Sequence, residues 1–179
     1  MHEVMEAHEE HEGHGDNPLM IPVAVTLSIL AVLVAIATLL GHRAASEEIL
    51  LQTKASDQWA YFQAKNIRLH EVESVADMFA TLAPADKEKA EQVREKYLKE
   101  AERYEKDKDE ISEKANELEK ERGVAGKRAD HFDAGEVVLE IALIICSLTL
   151  LTKKKAFWLS GIALGAVGLV VTVSGFFIR

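Results

Sequence analysis

The sequence has a single cysteine, Cys146, so no disulfide can form within the chain. Because Cys146 lies in an apolar run, it reads as a small apolar residue rather than a nucleophile. No HExxH, GxSxG, Walker loop or CxxC pair occurs, and no glycine-rich turn opens a helix after a strand. His70 with Glu71 or Glu73 comes nearest to a catalytic pairing, and on an amphipathic helix it is a packing or surface group. An enzyme is therefore not expected, and no cofactor is expected either. Clustered basic surface is also lacking. A net charge of -9 with alternating signs excludes general nucleic-acid binding, which needs grouped Lys and Arg to neutralise phosphates.

What is present is unevenly distributed. Hydrophobic residues make up 48% and charged residues 28% of 179, but the apolar ones gather in blocks near the two ends and the charged ones fill the middle. Residues 1–18 hold six acidic side chains, four histidines and no Lys or Arg, the composition of a disordered tail. His8, His11 and His14 recur by threes, so they are weak candidates to hold a borderline metal or to sense pH.

Residues 19–40 are apolar and uncharged and long enough, at about 20 residues, to cross a bilayer. The run lacks the basic flank and short core of a cleaved signal, so it is expected to be retained as a first span. Ala24, Ser28, Ala31 and Ala35 recur at threes and fours within it and form a groove for another helix. From Gly41 to Leu82 a helix can continue without Pro or internal Gly, until Ala83, Pro84 and Ala85 interrupt it. A second helix is expected from about Asp86 to Arg122, with Gly123 and Gly126 ending its pattern. The two arms, within residues 41–133, make an antiparallel coiled-coil hairpin. Further spans are expected over 134–152 and 156–178, joined by Lys153 to Lys155. The fold class is thus all-α, with three transmembrane helices and a long hairpin inserted between the first and second. Gly161, Gly165, Gly168 and Gly175 invite close backbone approach, to the first span's small stripe or to another copy of the chain.

Two groups of residues stand out. Asp57, Tyr61 and Lys65 share one face, with Gln58 and Phe62 beside it and Trp59 on a third row. Aromatics of this kind either pack on the second arm or present a surface to another protein. Asp130, Asp133, Glu136 and Glu140 line one side of the helix as it enters the second span, Glu140 about 9 Å inside. A carboxylate there takes up a proton or finds a cation. His42 and Arg43 end the first span on that side, so Glu136, Glu140 and His42 form a possible ion or proton site, or a structural pairing.

The run DQWAYFQAK, after a span ending LLGHRA, and the LTKKKAFW link resemble a family of bacterial membrane proteins known as a domain of unknown function. The resemblance implies architecture alone: three spans and a helical domain between the first two. It carries no activity and no functional residue. The expected role is a bacterial inner-membrane scaffold, adaptor or oligomerisation protein, with the bilayer and a homo-oligomer or membrane-protein partner around it. The basic link favours the N-terminus in the cytoplasm and the hairpin outside. The alternatives are a small proton- or cation-handling component using Glu140, and a metal or pH sensor using the tail histidines.

Overall fold

A computed structural model describes residues 19–82 and 86–179. The histidines His8, His11 and His14 and the interruption at Ala83, Pro84 and Ala85 lie outside the described residues. Helix α1 runs from Met20 to Thr81, α2 from Lys87 to Thr152 and α3 from Lys155 to Ser174, followed by a 3-10 turn at Gly175–Phe177. No strand occurs among the described residues. Each of the three helices contains a stretch long and apolar enough to cross a membrane, by length and composition.

Helix α1 is a single rod of 62 residues, as expected from the absence of a breaker between Gly41 and Leu82. Helix α2 starts where Asp86 caps it, its carboxylate accepting from the Lys89 amide at 3.0 Å. It does not stop at Gly123 and Gly126. Both glycines are helical, and α2 continues unbroken for 66 residues into the apolar stretch. A lone glycine costs a helix interior only about 1 kcal/mol, which packing against α1 outweighs. The helix ends at Lys153, a non-glycine residue with φ 58° whose amide bonds to the Thr149 carbonyl at 2.8 Å.

Partners recede along α2 as they advance along α1. Asp133 abuts Gly41, Glu48 meets Gly126, Glu119 bonds Trp59, Asp107 bonds Lys65, and Tyr97 stacks on Phe79. On α1 the buried residues Val23, Leu30, Ala37, Ala44 and Leu51 recur every seven positions. Two helices side by side enclose little volume. Among the described residues the largest fully buried side chains are accordingly Leu139, Val23 and Cys146, and Ala90, Ala101, Ala115, Ala125 and Ala129 recur along the seam on α2.

Helix α3 lies on α2. A Cβ added at Gly168 would sit 2.8 Å from Leu139 Cγ and 3.0 Å from its amide nitrogen, and one at Gly161 would sit 2.8 Å from Cys146 Cβ. Gly165 meets Leu30 of α1, and Gly175 meets the Phe132 ring. Gly161, Gly165, Gly168 and Gly175 are therefore buried within the chain. They do not mate with Ala24, Ser28, Ala31 and Ala35, all four of which remain exposed on α1. The reason is that Cys146, Leu139 and Phe132 of α2, with Leu30 of α1 at Gly165, fill the glycine groove.

These contacts predict opposite effects for two Gly→Ala changes. Gly168→Ala forces the α2–α3 contact apart and should destabilise by about 1–3 kcal/mol. Gly123→Ala has nothing within 4 Å to meet and should stabilise by about 0.5–1 kcal/mol. Denaturation in detergent, followed by circular dichroism, measures both. A Gly168→Ala protein as stable as wild type, or more so, would contradict the close α2–α3 approach.

Candidate functional site

The motif between Asp57 and Lys65 falls on the middle of α1, opposite a charged stretch of α2. Trp59 turns towards α2, and its indole Nε1 donates to Glu119 Oε1 at 2.8 Å. The Phe62 ring stands edge-on to Trp59 at 5.6 Å and 79°, with the Lys108 ammonium 5.9 Å from its centroid. Lys65 Nζ bonds Asp107 Oδ2 at 2.7 Å, lying 5.5 Å from the Tyr61 ring and 5.1 Å from the Tyr104 ring. The ammonium thus sits between two aromatic faces and on a carboxylate. Its side chain is 19% exposed, against 36% for Asp107. One turn closer to the apolar segments, the Arg122 guanidinium donates to the Gln52 side-chain carbonyl.

Most of this cluster therefore clasps α1 to α2. Asp57 and half of Tyr61 remain open to solvent, and Gln58 and Tyr61 line a shallow groove with Asp107, Glu110, Ile111 and Lys114. The partners Glu119, Asp107, Tyr104 and Lys108 were not foreseen. Finding them requires the register between the arms, which neither arm's own sequence states.

The acidic row on α2 is less concerted than its spacing suggests. Glu136 Oε1 accepts from the Thr38 hydroxyl at 2.6 Å, the hydroxyl also lying 3.0 Å from the Val34 carbonyl. Asp133 lies against Gly41, while Glu140 faces outward with the exposed Val137, Ile141 and Ile144. Among the described residues no ion pair joins Glu136 or Glu140 to His42 or Arg43. Nor, among the described residues, is any group of three or more His, Cys, Asp or Glu side chains placed to hold a metal. Glu136 is tied to α1, but through Thr38, a residue the charge pattern did not single out. Trp158 bonds α1 similarly, its Nε1 donating to Thr26 Oγ1 at 3.0 Å.

This all-helical arrangement has three long apolar helices and a charged pair of arms. The match of a family model to residues 19–178 identifies the chain: it belongs to the family described as Domain of unknown function (DUF4337). Comparison with curated proteins and with solved structures gave no match.

The Lys65–Asp107 pair should be readable through pH. Hydrogen bonding to Lys65 holds the Asp107 carboxyl below its ordinary value. Hydrogen bonding to Asp107 raises the Lys65 ammonium above its own, against partial desolvation. The carboxyl's share of stability is present above its unfolded pKa and is lost as pH falls through the folded one. The ammonium's share is present below its unfolded pKa and is lost as pH rises through the folded one. The pair is intact at neutral pH. Asp107→Asn should therefore melt below wild type at pH 7, with the gap closing in acid below the ordinary aspartate range. A gap that stays constant with pH would contradict the pairing.

Proposed function

We propose that the chain is a non-catalytic integral membrane scaffold: three spans carry a rigid antiparallel hairpin on one side of a bacterial inner membrane, and copies assemble along α1. The observation that carries this reading is the outward face of α1. Opposite the seven-residue repeat that meets α2 lie two more such rows, from Val25 to Ser74 and from Ser28 to His70. Every position in both rows is exposed, and none is Asp, Glu, Lys or Arg, although charged residues are frequent elsewhere between Arg43 and Leu82. Within the arm, Ile49 is 68%, Leu50 53%, Ile67 59% and Met78 57% exposed on or beside these rows. Water alone does not require an uncharged stripe there, and lipid does not reach that far.

A 3.5-residue spacing is the pattern of a left-handed seam between helices. Insertion in one direction makes α1 of two copies parallel, and identical register then sets Gln52 of one copy beside Asp57 of the other, and Asn66 beside Glu71. No like charges face each other. The stripe of Ala24, Ser28, Ala31 and Ala35, free within the chain, extends the same face into the span. The open sides of Asp57, Gln58 and Tyr61 are then what the assembled hairpins present to a further protein. The Lys153 to Lys155 link supports a cytoplasmic N-terminus and an external hairpin. Thr38 as the partner of Glu136 supports a structural role for that carboxylate over ion handling.

Single cysteines in a Cys146→Ala background test the assembly. Oxidative cross-linking in native membranes should be strong for Thr53→Cys, Ala60→Cys and Ile67→Cys and several-fold weaker for Lys54→Cys and Arg68→Cys, which lie off the rows. Uniformly absent cross-links would end the self-assembly reading.

A further inference from the structure

Where the apolar part of α1 ends, a pocket opens between α1, α2 and the 3-10 turn that follows α3. Arg43 and Glu47 of α1 and Arg128 of α2 rim it, and Leu40, Phe132 and Phe176 form its apolar side. Phe132, 4% exposed, and Phe176 meet edge-on at 5.3 Å and 67°, which fixes that wall. Arg128 uses Nε and Nη2 on the Ile178 carbonyl at 3.1 and 3.0 Å, so its guanidinium is held in place with Nη1 left over. Arg43 makes no hydrogen bond or ion pair among the described residues, and Glu47, one turn along, is not within ion-pair distance of either arginine. Two cations and a single carboxylate thus line the pocket beside an apolar wall.

We propose that this pocket is the headgroup site of an anionic phospholipid. The phosphate would lie between Arg43 and Arg128, whose planar forks suit phosphate oxygens. The first methylenes of an acyl chain would lie along Leu40, Phe132 and Phe176. A free inorganic anion has no use for that wall, and a zwitterionic lipid does not satisfy the excess of positive charge. Glu47 weakens the site by placing a negative charge beside the phosphate. The inference rests on the three-span reading, because only then does the pocket open at the depth of lipid headgroups.

The test uses the full chain reconstituted in nanodiscs of phosphatidylcholine alone and of phosphatidylcholine with phosphatidylglycerol, with retained lipid counted by native mass spectrometry after release. Incorporation into pure phosphatidylcholine depends on the spans alone, so its failure would count against the three-span reading separately. Wild type should retain phosphatidylglycerol about tenfold more than phosphatidylcholine, the factor expected of one charge-assisted contact. Arg43→Gln, which removes no contact within the chain, should abolish that preference. Glu47→Gln should strengthen it. Inorganic phosphate at millimolar concentration should not displace the lipid. Equal retention of the two lipids, no response to either substitution, or full displacement by phosphate would each overturn the assignment.

Discussion

The constraint on which the rest depends is that α1 and α2 stay in contact from the apolar segments to the far end of the charged arms. Each helix runs through both settings without a break. The seam changes chemistry along its length. It is aliphatic around Val23, Leu30, Leu139 and Cys146, then small with one aromatic at Ala44, Ala129 and Phe132, and mixed where Leu69 and Val72 meet Ala101 beside Tyr97 and Tyr104. A two-helix seam shields little apolar surface, so polar clasps supplement it at intervals: Thr38 with Glu136, Gln52 with Arg122, Trp59 with Glu119 and Lys65 with Asp107. Each lies at a different level, and together they hold one register.

Rigidity follows from the same feature. Had α2 broken at Gly123 or Gly126, the arms could swivel relative to the apolar helices. With the helix continuous, any displacement at the tip of the arms tilts the apolar segments too. Helix α3 completes the base. Its glycines allow it to nest on α2, and the bond from Arg128 to the Ile178 carbonyl ties down its far end. A protein built in this way is suited to transmitting position along its length, which is what the proposed scaffold role requires of it.

Much of this architecture was legible in the sequence because hydrophobic blocks and the absence of breakers are local properties. The three apolar stretches and the unbroken α1 needed nothing more. Gly123 and Gly126 misled because their helix cost is small and is overridden by contacts with a helix far away in sequence. The destination of the α3 glycines was open because a stripe of small residues states that a neighbour comes close but not which one. The partners of Trp59 and Lys65 were out of reach for another reason. Successive helical residues point about 100° apart, so an uncertainty of one residue in the register between the arms changes every cross-arm pair. The outward uncharged rows of α1 were visible in the letters but meant nothing until the side facing α2 was known.

The most direct test of the account is which side of the membrane each loop reaches. In a Cys146→Ala background, single cysteines at Glu91, near the far end of the arms, and at Lys154, in the α2–α3 link, are treated with a membrane-impermeant maleimide in intact cells and in inside-out vesicles. The account predicts labelling from opposite faces, with Glu91→Cys modified in cells and Lys154→Cys only in inverted vesicles. Labelling of both from the same face would contradict the three-span arrangement and everything built on it.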